Sequence, residues 1–160
     1  MTSEYKNLEG IGGWLLLVAF GLIASPIRMA YDMYQSFGIF SDGTWELFTS
    51  EKSTNYLFGF ATWHWAGSLA NLAMFCGWIY SAYLFFSKRR SFPRWYVWLL
   101  AVNTIVILAD ALVYWHFFRE LPGYDIQPFI FDVAKVAISS AIWIPYTLVS
   151  VRVETTFVRT

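Results

Sequence analysis

Trp95-Tyr96-Val97-Trp98-Leu99-Leu100-Ala101-Val102-Asn103-Thr104-Ile105-Val106-Ile107-Leu108-Ala109-Asp110-Ala111-Leu112-Val113-Tyr114-Trp115-His116-Phe117-Phe118 decides the fold. A helix rises about 1.5 Å per residue and the hydrocarbon layer is about 30 Å thick, so about 20 apolar residues carry a chain across it with every backbone group bonded internally. This run is longer than that, and Asp110 is its one formal charge. Three more stretches pass the same test, and together they predict an all-α membrane protein, a bundle of four transmembrane helices. The predicted spans are about 11–30, 63–86, 95–118 and 129–149, within a single four-helix transmembrane domain covering 1–160.

Composition agrees. With 58% hydrophobic and 14% charged residues, lipid is the main solvent this chain is built for. Aromatics make up 21%, and Trp and Tyr favour the bilayer interface, where an apolar ring and a polar tip are both satisfied. The formal net charge is zero, so no overall field draws nucleic acid, and a nucleic-acid role is excluded on that ground. Cys76 is the single cysteine; it has no intramolecular disulfide partner and reads as packing.

Charge also orients the spans. Ser87-Lys88-Arg89-Arg90-Ser91-Phe92-Pro93-Arg94 places four cations and no acid in the short loop between the second and third spans. Positive-inside bias puts that loop, and therefore both termini, in the cytoplasm. The segment before the first span carries Glu4 and Glu9 against Lys6, the wrong balance for a signal peptide, so the first span is expected to be an uncleaved anchor. The outer loop from Tyr31 to Thr62 holds Asp42-Gly43-Thr44-Trp45-Glu46-Leu47-Phe48. A polar cap followed by apolar residues predicts a short interfacial helix there. The turn from Arg119 to Pro128 is expected outside as well.

Ionisable groups inside a span are costly and need a partner or a wet cavity. Here they are Arg28, Asp110, Asp132 and Lys135. Counted inward from the outer ends of their helices, Asn71, Asp110 and Lys135 all fall roughly 10 to 12 Å deep. Helical spacing aligns Asp132, Lys135, Ser139 and Trp143 on the fourth helix and Asn103, Asp110 and Tyr114 on the third. It aligns His64, Ser68, Asn71 and Trp78 on the second, and Gly13, Gly21, Ser25 and Arg28 on the first. The expected cluster is Arg28, Asn71, Asp110, Asp132 and Lys135, with His64, Ser68, Asn103, Tyr114, Ser139 and Trp143 as further lining. Two arrangements satisfy it: a water-accessible cavity, or a closed ion-pair network that only fixes helix register.

Other chemistry finds less support. His64 and His116 lie at similar depth, as a bis-histidine haem would need, but both flank tryptophans and read as interfacial residues; no cofactor and no metal site are expected. There is no H-E-x-x-H and no G-x-S-x-G, so no catalytic residue is assigned and an enzyme is not expected. Pro145 predicts a kink in the fourth helix.

Two terminal segments carry a family likeness. Gly10-Ile11-Gly12-Gly13-Trp14-Leu15, and Ile142-Trp143-Ile144-Pro145-Tyr146 followed by Ser150-Val151-Arg152-Val153-Glu154-Thr155-Thr156-Phe157-Val158, resemble the domain-of-unknown-function 2569 family, as do Lys88-Arg89-Arg90-Ser91-Phe92-Pro93 and Thr44-Trp45-Glu46-Leu47. The resemblance implies a small bacterial inner-membrane protein of four spans and supplies no catalytic residues. In the tail, Arg152 and Arg159 suit anionic headgroups, while Val153 and Phe157 could bury one face of a continuing helix; a docking site for a partner is the competing reading. Expected partners are membrane lipids, a small solute or ion, and a second copy in a homodimer. The functional expectation is a polar, outward-facing cavity that binds or passes the solute; the alternative is a non-transporting accessory protein contacting another membrane protein.

Overall fold

The computed structural model describes residues 10–119, 125 and 127–159. Glu4, Lys6, Glu9 and most of the turn after Arg119 lie outside the described residues. The described chain forms α1 (Trp14–Ser36), a 3-10 turn (Phe37–Phe40), α2 (Thr44–Thr49), α3 (Phe60–Phe86), α4 (Phe92–Phe118), α5 (Gln127–Val149) and α6 (Val151–Thr156). Four of these, α1, α3, α4 and α5, are long and apolar enough to cross a membrane. Their large apolar side chains point outward along their whole length: Phe20, Ile27, Leu69, Trp98, Ile105, Leu112 and Ile138 are all exposed. In water that surface would be untenable; against lipid it costs nothing.

The helices pack in chain order, α1 on α3, α3 on α4 and α4 on α5. The seam between α1 and α5 has no comparable packing, so the bundle is open along one side. Its dry core occupies the half nearer the basic loop. There Leu15, Val18 and Leu22 of α1 meet Trp78, Leu84 and Phe85 of α3 and Phe92, Tyr96, Leu99 and Leu100 of α4.

The tail completes this core. Ser150 is extended (φ −76°, ψ 118°), so α6 is a separate short helix and not the continuation expected from the sequence. The break turns Val153 and Phe157 inward, both 3% exposed, and Phe157 packs between Phe85 at 5.4 Å and Phe92 at 4.5 Å. Thr156 Oγ1 lies 3.2 Å from both the backbone N and the O of Gly10. The Arg152 guanidinium crosses Gly12 so closely that a Cβ there would sit 2.7 Å from its Nη1. A parallel bridge joins the tail to the basic loop, with the Arg90 N–H donating to the Arg159 carbonyl at 2.7 Å and the Arg159 N–H to the Lys88 carbonyl at 3.1 Å. The segment at Gly10–Gly12, the tail from Ser150 to Arg159 and the basic loop therefore form one clasp.

At the opposite end, α2 forms where its composition predicts a short helix, though its cap is Gly43. Asp42 sits one residue earlier and accepts the Thr44 N–H at 2.9 Å. Hydrogen bonds from the Thr44 side chain and backbone hold the Asp42 carboxyl below the usual carboxylate range. Trp45 packs on Phe40 (4.8 Å) and Phe48 on Phe60 (5.1 Å) and Phe118 (5.5 Å), which roofs the ends of α3 and α4 with aromatic rings.

The spanning helices end where predicted at Phe86, Phe118 and Val149 and differ at the other boundaries. α1 starts at Trp14 rather than Ile11 and continues past Ala30 to Ser36. α3 starts at Phe60 rather than Trp63, α4 at Phe92 with Pro93 in its first turn rather than at Trp95, and α5 at Gln127 rather than Phe129. Polar or proline residues in the first turn shorten the apolar run without stopping the helix.

Candidate functional site

The half of the bundle away from the basic loop is built differently. Ser25, Arg28 and Asp32 of α1, Asn71 of α3, Asn103 and Asp110 of α4, and Asp132 and Lys135 of α5 line one cavity of about 350 Å³. Met74 and Trp78, which also belong to the dry core, join its wall. Each spanning helix thus contributes polar groups to one space.

The charges in that wall alternate. Asp32 Oδ2 lies 3.4 Å from Arg28 Nε, Arg28 Nη2 lies 3.9 Å from Asp132 Oδ1, and Lys135 Nζ donates to the same Asp132 oxygen at 3.0 Å. Arg28 to Asp132 is the one ion pair among the described residues that bridges the open α1–α5 seam. At the other end of the seam, Trp14 meets Trp143 edge-on at 6.3 Å. The side chains of this ladder keep 45% to 65% of their surface free of other protein atoms.

Asp110 stands apart from the ladder. Its Oδ1 accepts the indole N–H of Trp63 at 3.1 Å, and no cation lies within ion-pair distance of it among the described residues. In the cavity wall three carboxylates face two cations, and two carboxamides, Asn71 and Asn103, offer both donors and acceptors. Such a wall can hold a ligand carrying hydrogen-bond donors or positive charge.

The five residues of the expected cluster all line this cavity, as does Asn103. The other five expected lining residues do not. His64 is enclosed by Phe40, Trp45 and Trp65 at 5.6 to 5.9 Å. The Ser68 hydroxyl donates back to the His64 carbonyl at 2.8 Å. Tyr114 stacks on Phe129 at 3.8 Å, Trp143 packs on Trp14, and Ser139 is half-buried on α5. Its neighbour Ser140 makes the interhelical contact instead, 2.9 Å from the Thr104 hydroxyl.

Asp32 and Trp63 join the site without having been expected there. The hydropathy pattern puts Asp32 in the outer loop, yet its spacing of four from Arg28 is the signal of a helical pair. Trp63 has the composition of an interfacial ring, yet it lies about two helical turns before Asn71 on the same helix, and a half-buried indole N–H needs an acceptor.

The chain belongs to the family described as Protein of unknown function (DUF2569), whose model matches residues 8–158. No curated protein and no solved structure matches the chain. The terminal segments that carry the family likeness are those that meet in the clasp.

Proposed function

We propose that this chain is a multi-pass protein of the bacterial inner membrane whose polar cavity binds or passes a small solute or ion, opening toward the outer face. The observation that carries the reading is convergence: groups from all four spanning helices, Arg28, Asn71, Asp110, Asp132 and Lys135 among them, line one space. A network serving only to fix helix register would be expected to pair every charge and exclude water, because unpaired buried charge is costly and paired charge adds little over apolar packing. Here Asp110 has an indole N–H in place of a cation, and the ladder is open along one side. The outward opening rests on the basic loop, which positive-inside bias assigns to the cytoplasm at the far end of the bundle.

A wet cavity is tested by placing a cysteine in its wall, Asn103→Cys, in a Cys76→Ala background. A water-soluble, membrane-impermeant thiol reagent added outside should modify it within minutes, since such reagents need an ionised thiol in water. Protection equal to that of a cysteine at buried Leu99 would mean a dry knot and end the proposal. Proteoliposome flux, with Asp110→Asn as the comparison, then separates passage from binding.

A further inference from the structure

The clasp creates a second feature, independent of the cavity. Lys88 adopts φ 52°, a left-handed conformation unfavourable for a non-glycine residue. The Arg159 N–H bond to its carbonyl and the Arg89 N–H bond to Leu84 (2.9 Å) hold it there. The consequence is that Arg90, from the loop, and Arg159, from the tail, border one recess of about 360 Å³ together with Arg89, Ser91, Tyr80 and Tyr83. No carboxylate is among its described lining residues. Ser91 and Arg90 continue into an adjoining recess that adds Arg94.

Position adds to charge. Tyr80 and Tyr83 stack at 6.2 Å on the last turns of α3, and Tyr80 meets Trp95 of α4 edge-on at 5.0 Å. All three rings are exposed on the outward surface of the bundle, so the recess opens where a spanning helix gives way to an aromatic belt and a basic loop. Arginine binds phosphate oxygens through a planar fork of donors, and serine and tyrosine hydroxyls donate alongside it. An apolar aromatic wall running back along α3 and α4 suits acyl chains.

From this juxtaposition we propose that the recess formed by Arg90, Arg159, Ser91, Tyr80 and Tyr83 is a binding site for the phosphate headgroup of an anionic phospholipid, with its chains on the Tyr80–Trp95 surface. The fold makes the site conditional on the tail: without the Arg159 bridge, the loop and tail arginines are not held together.

The test uses the full chain purified in detergent and titrated with phosphatidylglycerol, with phosphatidylcholine and inorganic phosphate as comparators, reading the thermal midpoint. Phosphatidylglycerol should raise the midpoint saturably and the comparators should not. Arg90→Gln with Arg159→Gln should weaken the apparent affinity on the order of 30-fold, at about 1 kcal/mol per arginine. Both side chains are exposed, so the variant should fold; circular dichroism checks this, and Arg90→Gln alone should lose about fivefold. Lys52→Gln, a cation at the opposite end, should leave the response intact. An unchanged response in the double variant, an equal loss in Lys52→Gln, no response in the wild type, or full stabilisation by phosphate alone would each overturn the proposal.

Discussion

Asp132 presents one carboxylate oxygen to two cations, Arg28 at 3.9 Å and Lys135 at 3.0 Å. Arg28 has a second carboxylate in Asp32, whereas Lys135 has no other acid within ion-pair distance among the described residues. The coupling should therefore be uneven. In a double-mutant cycle, Asp132→Asn and Lys135→Gln should show an interaction of about 1 kcal/mol, at the upper end for accessible pairs because the two are in direct contact at 3.0 Å. Asp110→Asn with Lys135→Gln should show less than half of that, since Asp110 is held by the Trp63 indole instead. Thermal unfolding in detergent gives both numbers. A larger coupling at Asp110 than at Asp132 would mean that the ladder is drawn between the wrong partners.

Helix interiors are legible in the sequence, and so are the ends of α3, α4 and α5 at Phe86, Phe118 and Val149; the end of α1 is not, for a reason visible at Arg28 and Asp32. Hydropathy falls at Ala30, but the two charges are a turn apart and pair along the helix at 3.4 Å, so α1 continues for another turn and a half beyond the apolar run. The break at Ser150 has no glycine or proline to announce it, while Pro145 stays inside α5. What fixes the break is tertiary: it lets Phe157 reach the Phe85–Phe92 pair. Removing that anchor tests the clasp as an element. Phe157→Ala should cost about 3 to 5 kcal/mol, the usual range for a buried phenylalanine, and speed amide exchange across Val151–Arg159. The neighbouring Val158→Ala, 62% exposed, should change stability by less than about 0.5 kcal/mol. Equal small losses in both would show that α6 contributes no packing to the core.

Counting depth from helix ends brings Asn71, Asp110 and Lys135 to one level from the amino-acid order alone, because helical rise is fixed, and the cavity wall holds all three together with Arg28 and Asp132. Azimuth is less legible: Ser68 bonds back to its own helix, His64 turns to the aromatic roof and Tyr114 to Phe129 of α5, and a one-residue rotation on α5 exchanges Ser139 for Ser140. The same geometry sets up the whole-molecule test. α3 is 27 residues long, about 40 Å, so Ser50 before it and Ser91 after it must lie on opposite sides of a bilayer that it crosses. The clasp end gathers Lys88, Arg89, Arg90, Arg94, Arg152 and Arg159 against Glu154, whereas the loop around α2 holds Asp42, Glu46 and Glu51 against Lys52. By positive-inside bias the clasp is expected in the cytoplasm. Because Cys76 is exposed, single cysteines at Ser50 and Ser91 are introduced in a Cys76→Ala background and challenged on intact cells with an impermeant maleimide. Ser50→Cys should label at once, and Ser91→Cys only after the membrane is permeabilised. The reverse pattern would turn the cavity toward the cytoplasm and sink the outward opening, and labelling of both from outside would mean that α3 does not span.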